Sequence, residues 1–122
     1  MYRIIIAGSR NFADYDLLEQ TLLNYTGLIK HDCIEIISGC ARGADKLGEE
    51  FANSLNYDIV RFPADWDLYG KSAGYRRNEE MAEYASHGNG VLFAFWDGES
   101  KGTKNMIDLA NRYKLDVHVI KY

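Results

Sequence analysis

The sequence predicts an α/β fold, a three-layer α/β/α sandwich around a five-stranded parallel sheet in the order 3-2-1-4-5. Three observations lead there. Short β-branched apolar runs alternate strictly with longer stretches of helical periodicity. Most of these runs end at a glycine, hydroxyl or proline breaker. The 122 residues, 47% of them hydrophobic, suffice for one buried core without disulfides or a metal.

The elements follow in order. Arg3 to Ala7 reads as a strand buried on both faces and bounded by Gly8. Asp14 is placed to cap a helix whose Leu17, Leu18, Leu22, Leu23 and Tyr25 are spaced for one apolar face. Cys33 to Ile37 forms the second strand, ending at Ser38-Gly39. The next helix runs from Gly43 to about Leu55, with Ala44, Leu47, Phe51 and Leu55 inward. Tyr57 to Phe62 is the third strand, stopped by Pro63.

A long loop from Ala64 to about Ser72 leads into a helix carrying Arg77, Met81, Tyr84 and Ala85. Gly90 to Phe95 is the fourth strand, and Trp96 to Lys101 a loop. Gly102-Thr103 opens the last helix, with Met106, Ile107, Ala110 and Tyr113. Val117 to Ile120 closes the chain's β-structure. Repeats, low-complexity tracts and linkers are absent, so residues 1–122 read as a single Rossmann-like domain.

Composition narrows the function. The net charge is −4, and Lys and Arg are dispersed apart from Arg76-Arg77, which makes a nucleic-acid partner unlikely. Two cysteines, Cys33 and Cys40, and no signal-like or membrane-spanning run predict free thiols in a cytoplasmic protein. His31, His87 and His118 have no ligand spacing, so no metal site is expected. No resident cofactor is expected either. Nine tyrosines fit a homo-oligomer interface or ordinary core material equally.

Right-handed crossovers bring the four strand-to-helix loops to one sheet edge, where open α/β sheets bind ligands. Those loops hold Gly8, Ser9 and Arg10; Ser38, Gly39, Arg42, Gly43 and Asp45; Trp66, Lys71, Arg77 and Asn78; and Trp96, Asp97, Gly102 and Thr103. Glycines admit anions to backbone N–H groups, helix N-termini attract negative charge, and arginine forks match phosphate. A phosphate-bearing, nucleotide-derived small molecule is the expected partner. Asp45 fits a ribose hydroxyl or the helix dipole. Trp66 is placed to stack on a base, and Trp96 either does the same or caps the sheet. Neither the dinucleotide fingerprint nor the P-loop is present.

As a set, Gly8-Ser9-Arg10 with Phe12 and Asp14, Ser38-Gly39 to Asp45, Trp66 with Gly70-Lys71, Arg77-Asn78 with Met81, and Phe95-Trp96-Asp97-Gly98 with Gly102-Thr103 resemble the YspA-like GSR-motif branch of the SLOG superfamily. The resemblance runs through nearly the whole chain. It implies a Rossmannoid fold and a nucleotide-related ligand, such as the ADP-ribose derivatives bound by sensor members. Related Lonely Guy phosphoribohydrolases carry a glutamate three residues after the threonine of the last helix. Met106 stands there in this chain. If the protein is an enzyme, Asp45, Asp97 or Glu80 are the candidates for the acid, and Arg10 or Arg77 for the phosphate contact. Cys40 occupies a loop position where the family usually has glycine.

Overall fold

The computed structural model describes residues Met1–Tyr122 and has the Rossmann-like α/β architecture. Five parallel strands stand in the order β3-β2-β1-β4-β5. They are β1 (Tyr2–Gly8), β2 (Ile34–Ser38), β3 (Asp58–Arg61), β4 (Asn89–Trp96) and β5 (Asp116–Lys121). β1 is central, with Ile4 level with Ile36 on one side and Val91 on the other.

Alternation along β1 splits the core in two. Ile4 and Ile6 join Phe12, Leu18, Leu22 and Phe51 under α1 (Tyr15–Thr26) and α2 (Ala44–Ser54). On the opposite face, Ile5 and Ala7 join Met81, Ala82, Ala85, Met106 and Leu109. That face is covered by two further helices, Ala73–Ser86 and Lys101–Arg112. Burying β1 on both faces explains its continuous apolar run. Each fully buried Ile contributes about 1.5–3 kcal/mol.

Asp14 does cap α1, its Oδ1 accepting from the Leu17 amide at 3.1 Å. Leu23 departs from expectation and is exposed. At about 100° per residue it lies one step off the stripe set by Leu18 and Leu22. Cys33 belongs to a 3₁₀ turn, His31–Cys33, and not to β2.

The largest departure is between Ala64 and Ser72. That stretch contains a one-turn helix, α3 (Trp66–Tyr69), and a 3₁₀ turn, Gly70–Ser72, leading directly into α4 (Ala73–Ser86). Asp65 caps α3 by accepting from the Leu68 amide at 3.0 Å. Four residues are too few to display a 3.6-residue period, so the pattern reads as loop. α5 (Lys101–Arg112) starts with Ser100 as its cap, two residues before Gly102. No helix is long and apolar enough to cross a membrane.

Candidate functional site

Parallel strands and right-handed crossovers put the carboxyl ends of β1, β2 and β4 beneath one cleft of about 560 Å³. The loop after β1 contributes Gly8, Ser9 and Arg10 to its wall. The β2–α2 turn gives Arg42 and Asp45. Trp66 and Lys71 come from the α3 segment, and Arg77 and Asn78 from the first turns of α4. Asp97, Gly102 and Thr103 close the side facing α5. Twelve of the sixteen residues expected from sequence thus converge on one hollow.

The other four lie behind it. Ser38 is buried and donates to Glu49 at 2.6 Å, while its hydroxyl also accepts the Cys40 amide at 3.1 Å. Glu49 in turn pairs with Arg61 at 3.1 Å. Gly43 has φ +81°, and a Cβ there would come within 2.6 Å of the Arg10 carbonyl oxygen. It lets α2 start directly against the Ser9-Arg10 backbone. Trp96 donates its indole N–H to the Ser100 carbonyl at 3.1 Å and holds the loop before α5. Gly39 lies between Asp45 and Arg77.

That last arrangement is the centre of the site. A Cβ on Gly39 would stand 2.8 Å from Asp45 Oδ2 and 2.9 Å from Arg77 Nη1. Only glycine lets the two side chains close in from both sides. Arg77 Nη1 donates to the Gly39 carbonyl, and Nε donates to Asn78 Oδ1 at 3.0 Å. Asn78 then donates to Asn105 at 2.9 Å and to the Gly102 carbonyl, strapping α4 to the start of α5. Arg77 is therefore held at both ends of its guanidinium.

Asp45 is buried, 6% exposed, and burial pushes its pKa up to about 6. The Ala41 amide, donating at 3.2 Å, and the charge of Arg77 oppose that rise. Asp97 behaves oppositely. Its carboxylate accepts from Ser100 N at 2.8 Å and Glu99 N at 2.9 Å, which holds it below the ordinary carboxylate range. Two carboxylates at one cleft thus have different protonation behaviour, set by their surroundings.

Ser9 is 3% exposed. Its amide donates to Phe95 and its carbonyl accepts from Phe12, both at 3.1 Å. Its Oγ forms no well-aligned hydrogen bond, although it lies near enough to the Asp97 carboxylate to help hold it ionised. A buried hydroxyl beside a carboxylate already held by two amides is incompletely satisfied, and a ligand can complete it. The cleft wall carries Arg10, Arg42, Lys71 and Arg77 against Asp45 and Asp97, a cationic balance on a chain of net charge −4. Arg10 and Arg42 form no ion pair with any carboxylate. The amides opening α2 and α5 lie at the same rim.

Sequence reasoning missed Asn11, Ala41, Gly74, Tyr75 and Ser100 as lining residues. Ser100 had a readable signal. Its Oγ accepts from Thr103 N at 3.3 Å, a serine cap three residues ahead of its partner. Tyr75 and Gly74 had none, because only the packing of α3 on α4 turns them toward the cleft. Met106 is buried and also lines the cleft, where it offers a thioether and no carboxylate. The histidines lie away from this cleft. His31 is tilted against Tyr57, and His118 stacks on Phe93 beside Asp116.

Residues 2–69 match the model of the YspA, cpYpsA-related SLOG family. The Gene 61 protein of Mycobacterium phage D29 is 30% identical, over 96% of this chain and 94% of that protein. No solved structure gives a significant match.

Proposed function

Since the chain belongs to the YspA, cpYpsA-related SLOG family, we propose that residues 1–122 form one domain whose cleft binds a phosphate-bearing, nucleotide-derived small molecule, a nucleotide or an ADP-ribose-type signal. It acts as a sensor, carrier or sequestering protein. The observation that carries this reading is the Ser9 hydroxyl, buried with no well-aligned hydrogen bond in a wall where Arg10 and Arg42 make no ion pair. A phosphoryl oxygen satisfies both at once. Asp45 accepts a ribose hydroxyl, and Trp66, half exposed at the rim, covers the base. Isothermal titration with nucleoside monophosphates, NAD derivatives and ADP-ribose derivatives tests it. Micromolar binding by one class is expected. Silence across every phosphate-bearing compound would sink the proposal.

A second reading is an N-glycosidase of the phosphoribohydrolase type, and the buried Asp45 beside Arg77 is what favours it. Met106 cannot supply a carboxylate, and Asp97 is committed to two backbone amides. In that reaction Arg77 holds the phosphate and Asp45 stabilises positive charge developing on the ribose. Water takes the place of the departing base at the anomeric carbon. Release of free base from a nucleoside monophosphate, lost in Asp45→Asn, separates this reading from simple binding.

A further inference from the structure

We propose that a second anionic subsite adjoins the main cleft beside Arg10, Arg42 and Arg77, so that the bound molecule presents two phosphate groups. This rests on the reading that the main cleft takes a phosphate-bearing ligand. A second cavity of about 530 Å³ adjoins the first and shares Arg10, Ala41, Arg42, Trp66 and Arg77 with it. The rest of its wall comes from Gly39-Cys40 and Pro63-Ala64.

The two lobes differ in charge. The first sets Asp45 and Asp97 against its four cations. The second has three guanidiniums and no carboxylate at all. Burial is the main force against protonation of Arg77; Asp45 and Cys40 oppose it, and the nearby Arg10 adds a smaller like-charge contribution. Neither Arg10 nor Arg42 is offset by a carboxylate elsewhere. Gathering uncompensated guanidiniums costs the free protein stability, and an anion placed among them recovers it.

Arg77 lines both lobes. Its Nη1 and Nε are fixed on Gly39 and Asn78, while Nη2, on the Gly74 side, has no hydrogen bond. The donors left free for an anion in the second lobe are those of Arg10 and Arg42, which make no ion pair. The first lobe alone is large enough for a nucleoside monophosphate. The second calls for a further phosphate, as in a nucleoside diphosphate or a pyrophosphate-bridged molecule.

Cys40 gives a reporter. It lines the second cavity only and is half-buried. Cys33 lies at the other end of β2. In a Cys33→Ser protein, the rate of Cys40 alkylation by iodoacetamide is measured with saturating 5′-monophosphates or 5′-diphosphates of the four common ribonucleosides. Affinities are measured in parallel by titration calorimetry. Diphosphates are expected to bind at least tenfold tighter than monophosphates and to slow alkylation at least tenfold, with monophosphates giving little protection. Ala64→Glu, which puts a negative charge in the second lobe alone, is expected to bring the affinity ratio within threefold. Equal affinity and equal alkylation with both series overturn the second subsite and leave the single-phosphate reading intact. Tighter diphosphate binding without protection of Cys40 also overturns it. If neither series binds, both measurements are repeated with ADP-ribose and NAD: tight binding with at least tenfold protection of Cys40 supports the second subsite, binding without protection overturns it, and no binding overturns both readings.

Discussion

Replacing Asp45 with Asn separates stability from function in this cleft. The carboxyl has its pKa raised from 3.8 to about 6 because burial penalises its ionised form. In the folded state it therefore holds a proton that the unfolded chain has already released. Folding stability falls as pH rises between those two values. By pH 7 the loss is complete and amounts to about 3 kcal/mol. Arg77 and the Ala41 amide already act against the shift, and Glu49 adds to it, so this figure is a net one.

Asn removes the charge while keeping an oxygen for the Ala41 amide. Asp45→Asn should raise the unfolding free energy by up to about 3 kcal/mol at pH 8 and by nearly nothing at pH 4. Urea denaturation followed by Trp fluorescence at both pH values measures this. Affinity should move the other way. A hydrogen bond to a charged acceptor is worth about 1.5–3 kcal/mol, so ligand binding at pH 8 should weaken roughly 10- to 100-fold. An Asn protein less stable than the parent at pH 8, or a stability difference that is the same at both pH values, would refute the reasoning.

Other perturbations have equally specific outcomes. Ser9→Ala removes a buried hydroxyl that makes no well-aligned hydrogen bond, so the free protein should lose no more than about 0.5 kcal/mol of stability while phosphate affinity drops roughly five- to tenfold; a larger stability loss with unchanged binding would show the hydroxyl committed to Asp97 instead. Arg77→Met leaves Asp45 buried without its nearby cation and the Gly39 carbonyl without its donor. It should cost about 1–3 kcal/mol at pH 8, less at pH 4, and abolish measurable binding. Gly43→Ala forces a Cβ onto the Arg10 carbonyl from a backbone at φ +81°. Thermal unfolding should show a loss of about 1–3 kcal/mol, with binding impaired because the Ser9-Arg10 turn must move.

The order of the elements and the edge that carries the site were legible because each depends on local pattern. β1 and β4 are nearly continuous apolar runs, as strands covered on both faces must be. The helices announced themselves by stripes such as Leu18-Leu22 and by caps such as Asp14. Handedness then leaves the strand-to-helix loops no choice of edge. So Gly8-Ser9-Arg10, Arg42, Asp45 and Gly102-Thr103 could be placed together from their positions in the chain alone.

Tertiary structure decided which of those residues face the cleft and which hold it up. Ser38 ends β2 and Ser9 directly follows β1, yet Ser38 is taken by Glu49 while Ser9 makes no well-aligned hydrogen bond. Trp96 turned to brace Ser100, and Asn78 to tie α4 to α5. The approach of Asp45 and Arg77 to Gly39 from two sides brings together two helices that share no local signal. Periodicity records only which side of its own helix or strand a residue occupies. Partner, burial and protonation depend on how remote segments meet, and distances of a few tenths of an ångström settle them.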